Sequence, residues 1–177
     1  MLSEPLPSTL DVRKAAGRGV SVKGTLKPLD LPRFRALLAE DSGLIRAELA
    51  CSRDEENRPL VQLAITADIV VVCQRCLEPL PQTLASENLL AVVWTDEQAA
   101  QLPRYLEPLI VEEDGCNLWE LVEDELILAL PSFSYHDTDE CKQILAGFNS
   151  DPAPEPQAAA EDKPNPFNVL AQLKPGK

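Results

Sequence analysis

The chain has 177 residues, 45% of them hydrophobic, and a formal net charge of −13. That suits one domain of ordinary size plus tails and excludes a wholly disordered chain. With 16 basic against 29 acidic side chains, an all-round nucleic-acid coat is a poor fit, because phosphate contacts supply most non-specific affinity.

The charge is uneven along the chain. Residues 1–36 carry seven basic side chains, Arg13, Lys14 and Arg18 among them, against three acidic ones. Between Tyr105 and Glu140 there is no lysine or arginine, and ten acidic residues precede Glu140. A basic arm on an acidic body points to partner binding, although solvation alone also accounts for charged faces. The opening "MLSEPLPSTLDVRK" lacks a basic stretch followed by an apolar one. No segment reaches the ~20 apolar residues of a membrane helix. The expectation is a soluble, cytoplasmic protein whose five cysteines stay reduced.

In chain order, "GVSVKGTL" alternates and predicts a short strand, with Val20, Val22 and Leu26 to one side. "LPRFRALLAE" at 31–40 follows Asp30, with Pro32 in the first turn, and predicts a short helix with Phe34, Leu37 and Leu38 inward. "GLIRAELACS", "PLVQLAITADIVVVC" and "LPQTLASENLLAVVW" then predict three strands of an antiparallel meander. In the second of these, Val61, Leu63, Ile65, Ala67, Ile69, Val71 and Cys73 share one face. "TDEQAAQLP" is a helical turn capped by Thr95, and "YLEPLIVEEDG" ends in a turn.

"NLWELVEDELILALP" is the clearest helix signal. Asn117 and Glu120 have capping-box spacing, Pro131 ends the helix, and Leu118, Leu121, Val122 and Leu126 form a stripe. Its apolar second half predicts deep burial, and Glu120, Glu123 and Asp124 are expected on a solvated face. The fold class is α+β: an antiparallel meander, partly rolled, with this amphipathic helix packed on it and a flexible C-terminal tail. The domain spans 1–146, a Pro/Ala-rich linker 147–164, and a short docking segment 165–177.

The chemistry-bearing stretch is "IVVVCQRCLEPL" at 69–80, where a strand runs into C-x-x-C. Cys73 and Cys76 at this spacing hold half of a zinc site, run thiol exchange, or simply close a strand-to-strand turn. His136 and Cys141 are the candidates for the other two ligands, although "HDTDEC" has an unusual spacing. Thiol exchange fits poorly, because "LEPLP" does not start the helix that lowers a thiol pKa in thioredoxin-like motifs. Cys51 and Cys116 are isolated and read as buried thiols. His136 is the only histidine, and there is no nucleophile elbow, P-loop or dinucleotide fingerprint. Nothing in the motifs predicts an enzyme or a small-molecule substrate. Arg75, at the tip of the C-x-x-C turn, either meets phosphate or a base or pairs with Glu78.

Three stretches together resemble a known family: "CQRCLEPL" at 73–80, "LVEDELILALPSFSYHD" at 121–137 and "KPNPFNVLAQLK" at 163–174. "LPSTLDVRKAA" and "TDEQAAQLPRYLEPLIVEEDG" add to it, so the likeness runs from about Leu6 to Lys174. The chain is similar to the bacterial YceD family, the large ribosomal RNA subunit accumulation proteins. The resemblance implies a non-enzymatic ribosome-biogenesis factor supporting synthesis, processing or stability of 23S ribosomal RNA. Its expected partner is that RNA or its precursor particle, met through Arg13, Lys14, Arg18 and Arg75. The alternative is an acidic adaptor for a basic large-subunit ribosomal protein, met through Glu112, Glu113 and Asp114.

Overall fold

The computed structural model describes residues 4–111 and 115–144. The predicted linker at 147–164, the docking segment at 165–177 and the trio Glu112–Asp114 all lie outside those residues. The fold is built on β4 (Pro59–Val72) and β5 (Pro79–Val93), the two longest strands. The alternation in β4 does what its period dictates: Val61, Leu63, Ile65, Ala67, Ile69 and Val71 are buried, with Gln62, Thr66 and Asp68 exposed between them. β3 (Leu44–Arg53) pairs antiparallel with β4 in a register that sets Leu49 opposite Leu63 and Ile45 opposite Ala67. β2 (Ser21–Leu26) joins β3 antiparallel, and β6 (Glu107–Ile110) joins β5 in parallel. The order β2-β3-β4-β5-β6 thus extends the predicted three-strand meander at both sides.

One face of the sheet carries the core and the other faces water, except where Leu60 and Ala91 pack with Leu106 in a second, smaller apolar cluster. On the wet face Arg46 pairs with Asp68 at 3.0 Å and Lys23 with Glu48 at 2.5 Å, as cross-strand partners of opposite charge. Three helices cover the apolar face. α1 (Val12–Arg18) lies on β3 and β4 and buries Val12, Ala15 and Ala16. The expected basic arm is therefore a packed helix: Asp11 caps it by accepting from Lys14 N at 2.9 Å, and Gly19 closes it in the left-handed region. α2 (Pro32–Arg35) holds Phe34 at the centre of the core but lasts one turn. Leu37, predicted inward, is exposed because the helix ends before its side chain rotates onto the sheet.

α4 (Leu118–Ala129) is capped by Asn117, whose Oδ1 accepts from Trp119 N at 3.1 Å and Glu120 N at 3.3 Å. Leu118, Val122 and Leu126 recur every four residues and are buried. Two expectations for α4 are corrected. Leu128 is 78% exposed, because it sits on the side opposite Leu126, so the second half is not buried all round. Glu123 is buried, not solvated. Its carboxylate accepts from Arg33 N at 2.7 Å, Phe34 N at 3.1 Å and Arg33 Nε at 2.8 Å. It thereby satisfies the first turn of α2, whose own N-cap Leu31 makes no side-chain cap.

Short elements complete the fold. β1 (Thr9–Leu10) pairs with β7 (Cys116–Asn117), which ties the start of α1 to the start of α4. Residues before β1 run along β2: Leu6 N donates to Thr25 O at 3.1 Å and Thr25 N to Glu4 O at 2.9 Å. Gly24 permits this approach, since a Cβ there would fall 2.5 Å from Leu6 Cα. α3 (Asp96–Ala100) is capped by Thr95 as predicted, and α5 (Asp139–Ile144) follows α4. Among the described residues no helix is long and apolar enough to cross a membrane.

Candidate metal centre

β4 ends at Val72 and β5 begins at Pro79, so C-x-x-C forms the connection between the two longest strands. Cys73 N donates to Glu78 O at 2.9 Å and Leu77 N to Cys73 O at 2.8 Å, which folds the turn tightly. Leu77 takes φ +63, a left-handed conformation that costs an L-residue about 1 kcal/mol. No helix follows the motif, so its thiols lack the helix N-terminus that activates thioredoxin-like pairs.

The second half of the site arrives from 60 residues further along. After α4, Pro131 prevents helix continuation and the chain passes beside the turn. Gln74 N donates to Ser134 O at 2.9 Å, and Ser134 Oγ donates to Gln82 Oε1 at 3.2 Å. This docking delivers His136 and Cys141. The donor atoms of Cys73, Cys76, His136 and Cys141 all lie within 4.8 Å of one another. Cys73 Sγ is 3.7 Å from Cys141 Sγ, and Cys76 Sγ is 3.2 Å from His136 Nδ1.

These residues fit zinc. Tetrahedral Zn–S bonds of about 2.3 Å separate two sulfurs by about 3.8 Å, and a sulfur from a ligating nitrogen by about 3.6 Å. Cys₃His is a structural donor set with no open position. His136 Nε2 lies 3.2 Å from Pro79 O. A proton on Nε2, donated to that carbonyl, leaves the Nδ1 lone pair facing the sulfurs.

The electrostatics point the same way. Burial opposes ionisation of Cys73, yet the N–H groups of Cys76, Arg75 and His136 aimed at its sulfur bring the thiol down to about 5. Cys76 moves up: the Glu78 N–H works against this, but burial and the Cys73 and Cys141 sulfurs outweigh it. A cluster that holds one thiolate readily and resists a second is one that a dication relieves. By contrast Cys51 and Cys116 are buried in the apolar core, where desolvation raises both thiols, Cys116 to about 11.

Arg75 turns to Tyr135, not to Glu78. Its guanidinium lies 4.7 Å from the Tyr135 ring centroid, with Nη1 3.9 Å from Cys141 Sγ. The other cationic candidates sit elsewhere. Arg13, Lys14 and Arg18 are on α1, where Lys14 pairs with Asp11 at 2.8 Å and Arg13 lies over the Trp94 ring at 5.7 Å. Trp94 and the C-x-x-C turn flank opposite ends of β5, roughly 50 Å of extended strand. Trp94, Phe133 and Tyr135 were not legible as site residues in the sequence. The available signal was scarcity, since aromatic side chains make up only 5% of the chain and these three are exposed.

A family model described as "Large ribosomal RNA subunit accumulation protein YceD" matches residues 61–174. The chain is also 34% identical, over 170 residues and 96% of both chains, to the large ribosomal RNA subunit accumulation protein YceD of Haemophilus influenzae. No solved structure matches. The matched span contains all four donors of the cysteine–histidine cluster, and the chain belongs to the YceD family of large ribosomal RNA subunit accumulation proteins.

Proposed function

We propose that the protein is a non-catalytic, cytoplasmic factor that supports synthesis, processing or stability of large-subunit ribosomal RNA. The observation that carries this reading is the family relationship, which extends over 96% of the chain. Two features of the molecule support it. The single histidine stands among three cysteines, with its ring nitrogens facing Cys76 and Pro79, the placement of a fourth donor in a structural metal site. Three of the seven basic side chains of the first 36 residues, Arg13, Lys14 and Arg18, stand on the packed helix α1, where a negative ligand meets them on a rigid surface.

In this reading Cys73, Cys76, His136 and Cys141 hold one zinc ion. Its work is structural: it fixes the chain after α4 to the β4–β5 turn and orients Arg75 and Tyr135. Depletion of the protein from growing bacteria should lower 23S relative to 16S ribosomal RNA, and restoring the wild-type chain should reverse the loss. An unchanged ratio on full depletion would overturn the proposal.

A second reading rests on charge. The stretch from Tyr105 to Glu140, without lysine or arginine, includes a groove beside β6 and α4 with Leu109, Leu121, Glu120 and Asp124. An acidic, apolar groove of this kind suits a basic large-subunit ribosomal protein, and Glu112, Glu113 and Asp114 add three more acidic residues to the same stretch of sequence. A low-salt pull-down separates the readings. RNA crosslinked directly to the chain supports RNA contact. A ribosomal protein that stays bound after nuclease treatment supports the adaptor.

A further inference from the structure

The core of this protein is aliphatic, and its aromatic side chains are mostly elsewhere. Of the six aromatic residues among those described, only Phe34 is fully buried. Trp94, Tyr105, Phe133 and Tyr135 are exposed by 42%, 70%, 69% and 44%. A large planar side chain kept in water contributes little to folding and is available for stacking. Trp94 has the setting that best fits a ligand. It stands just past the end of β5, where Thr95 breaks the strand and caps α3, and its backbone N–H donates to Gln98 Oε1 at 2.9 Å.

A cleft of about 490 Å³ opens beside it, within the size range of small-ligand sites. Arg13 from α1 covers the indole at 5.7 Å. Arg53 from the end of β3 lines the same cleft. It is held by neutral acceptors, donating from Nη1 to the carbonyl oxygen and Oδ1 of Asn57 at 3.0 Å each. α1 passes beside Arg53 one helical turn after Arg13, where a Cβ at Gly17 would make ordinary contact with its Nη2 at 3.8 Å. Arg58 is committed to Asp54 and Glu56, at 2.6 and 3.2 Å. The cleft therefore combines one exposed indole, the Arg13 and Arg53 guanidinium groups on rigid elements, the Glu56 carboxylate neutralised by Arg58, and the amides of Asn57 and Gln98.

We propose that this cleft binds one unstacked base of single-stranded RNA, with the base on Trp94 and the adjoining phosphates met by Arg13 and Arg53. The inference rests on the ribosomal RNA reading above and adds to it a place of contact. Stacking on an aromatic face is available to any base, and a guanidinium supplies charge beside it. A duplex cannot use the site, since its bases are already stacked.

The test uses the full-length protein and a single-stranded oligoadenylate, free and annealed to oligouridylate. Binding of the single strand should quench tryptophan emission, and the duplex should not compete. Trp94→Ala should weaken binding roughly ten- to hundred-fold, with Trp94→Phe restoring most of it. Arg13→Ala should lower the slope of log affinity against log salt by about one. Zero-length photo-crosslinking of the wild-type chain reads the contact without any substitution, and the crosslink should fall at Trp94. Wild-type binding with Trp94→Ala equally tight, or crosslinks only at Tyr135 and Phe133, would overturn the site while leaving the RNA reading intact. No RNA binding by the wild-type chain at low salt, together with capture of a ribosomal protein, would overturn both.

Discussion

The two ends of the chain segment that begins with α4 are held by different physics. Up to Leu126 the segment is anchored by apolar burial: Leu118, Val122 and Leu126 are each no more than 1% exposed and pack on a sheet of large aliphatic side chains. From Pro131 to Ile144 the only buried residues are Ser134 and Cys141. That stretch is held by two hydrogen bonds at Ser134 and by the convergence of His136 and Cys141 on the C-x-x-C turn. Apolar burial is spread over many contacts and fails cooperatively. A four-donor site is concentrated in a few atoms and fails when one is removed.

The sharpest way to break the contrast is at the donors. Structural zinc contributes on the order of 10 kcal/mol or more in small domains. Cys76→Ser, or chelation of the wild type, should abolish tight zinc binding and release residues 131–144 while β4 and β5 stay folded. Hydrogen exchange should show protection lost in that segment and kept in β4. Loss of protection throughout would mean that the two regions are not separable. In the apolar region, Phe34→Ala should cost about 3–5 kcal/mol and lower the midpoint of a single cooperative denaturation, without changing zinc stoichiometry.

Glu123→Gln is expected to cost about 1–3 kcal/mol, because Arg33 and two buried N–H groups lose a charged acceptor. Its pH signature is more diagnostic than its size. Burial works against the Glu123 carboxylate, yet the N–H groups of Phe34 and Arg33 and the Arg33 guanidinium hold it below its usual 4.5. A depressed carboxylate stabilises the fold above its unfolded value, and that contribution is lost as pH falls through the folded value. Glu123→Gln should therefore flatten the acid limb of stability below about pH 4.5 and leave the neutral region displaced by a constant. Smallest of all, Leu77→Gly should stabilise the turn by about 1 kcal/mol, by removing the left-handed strain. A loss of stability there would show that the leucine side chain is held by contacts worth more than its strain.

What was legible in the sequence follows from range. The alternation of β4 and β5 and the Asn117 cap of α4 are local signals, and both stand in the structure. α1 was missed because seven residues with two buried alanines carry little periodicity and their basic side chains dominate the reading. β6 and the two-residue pair β1–β7 are too short to signal themselves, and their partners are distant in sequence. Glu123 was misplaced for the same reason: its partners, Arg33 and Phe34, lie about 90 residues away, and composition alone assigns a carboxylate to water. The cysteine site was half legible. C-x-x-C announces itself by spacing, whereas His136 and Cys141 become partners only once α4 has ended before Pro131 and Ser134 has docked on Gln74. Trp94 gave no local signal, because exposure at a strand end is a property of the finished sheet.

The most direct measurement is the metal content of the full-length wild-type chain, purified without chelators, beside the Cys73→Ser/Cys76→Ser variant. One zinc per wild-type chain and none in the variant is the expected result. A wild-type chain free of metal, with all three cluster thiols reactive and residues 131–144 still protected from exchange, would contradict a metal-held segment.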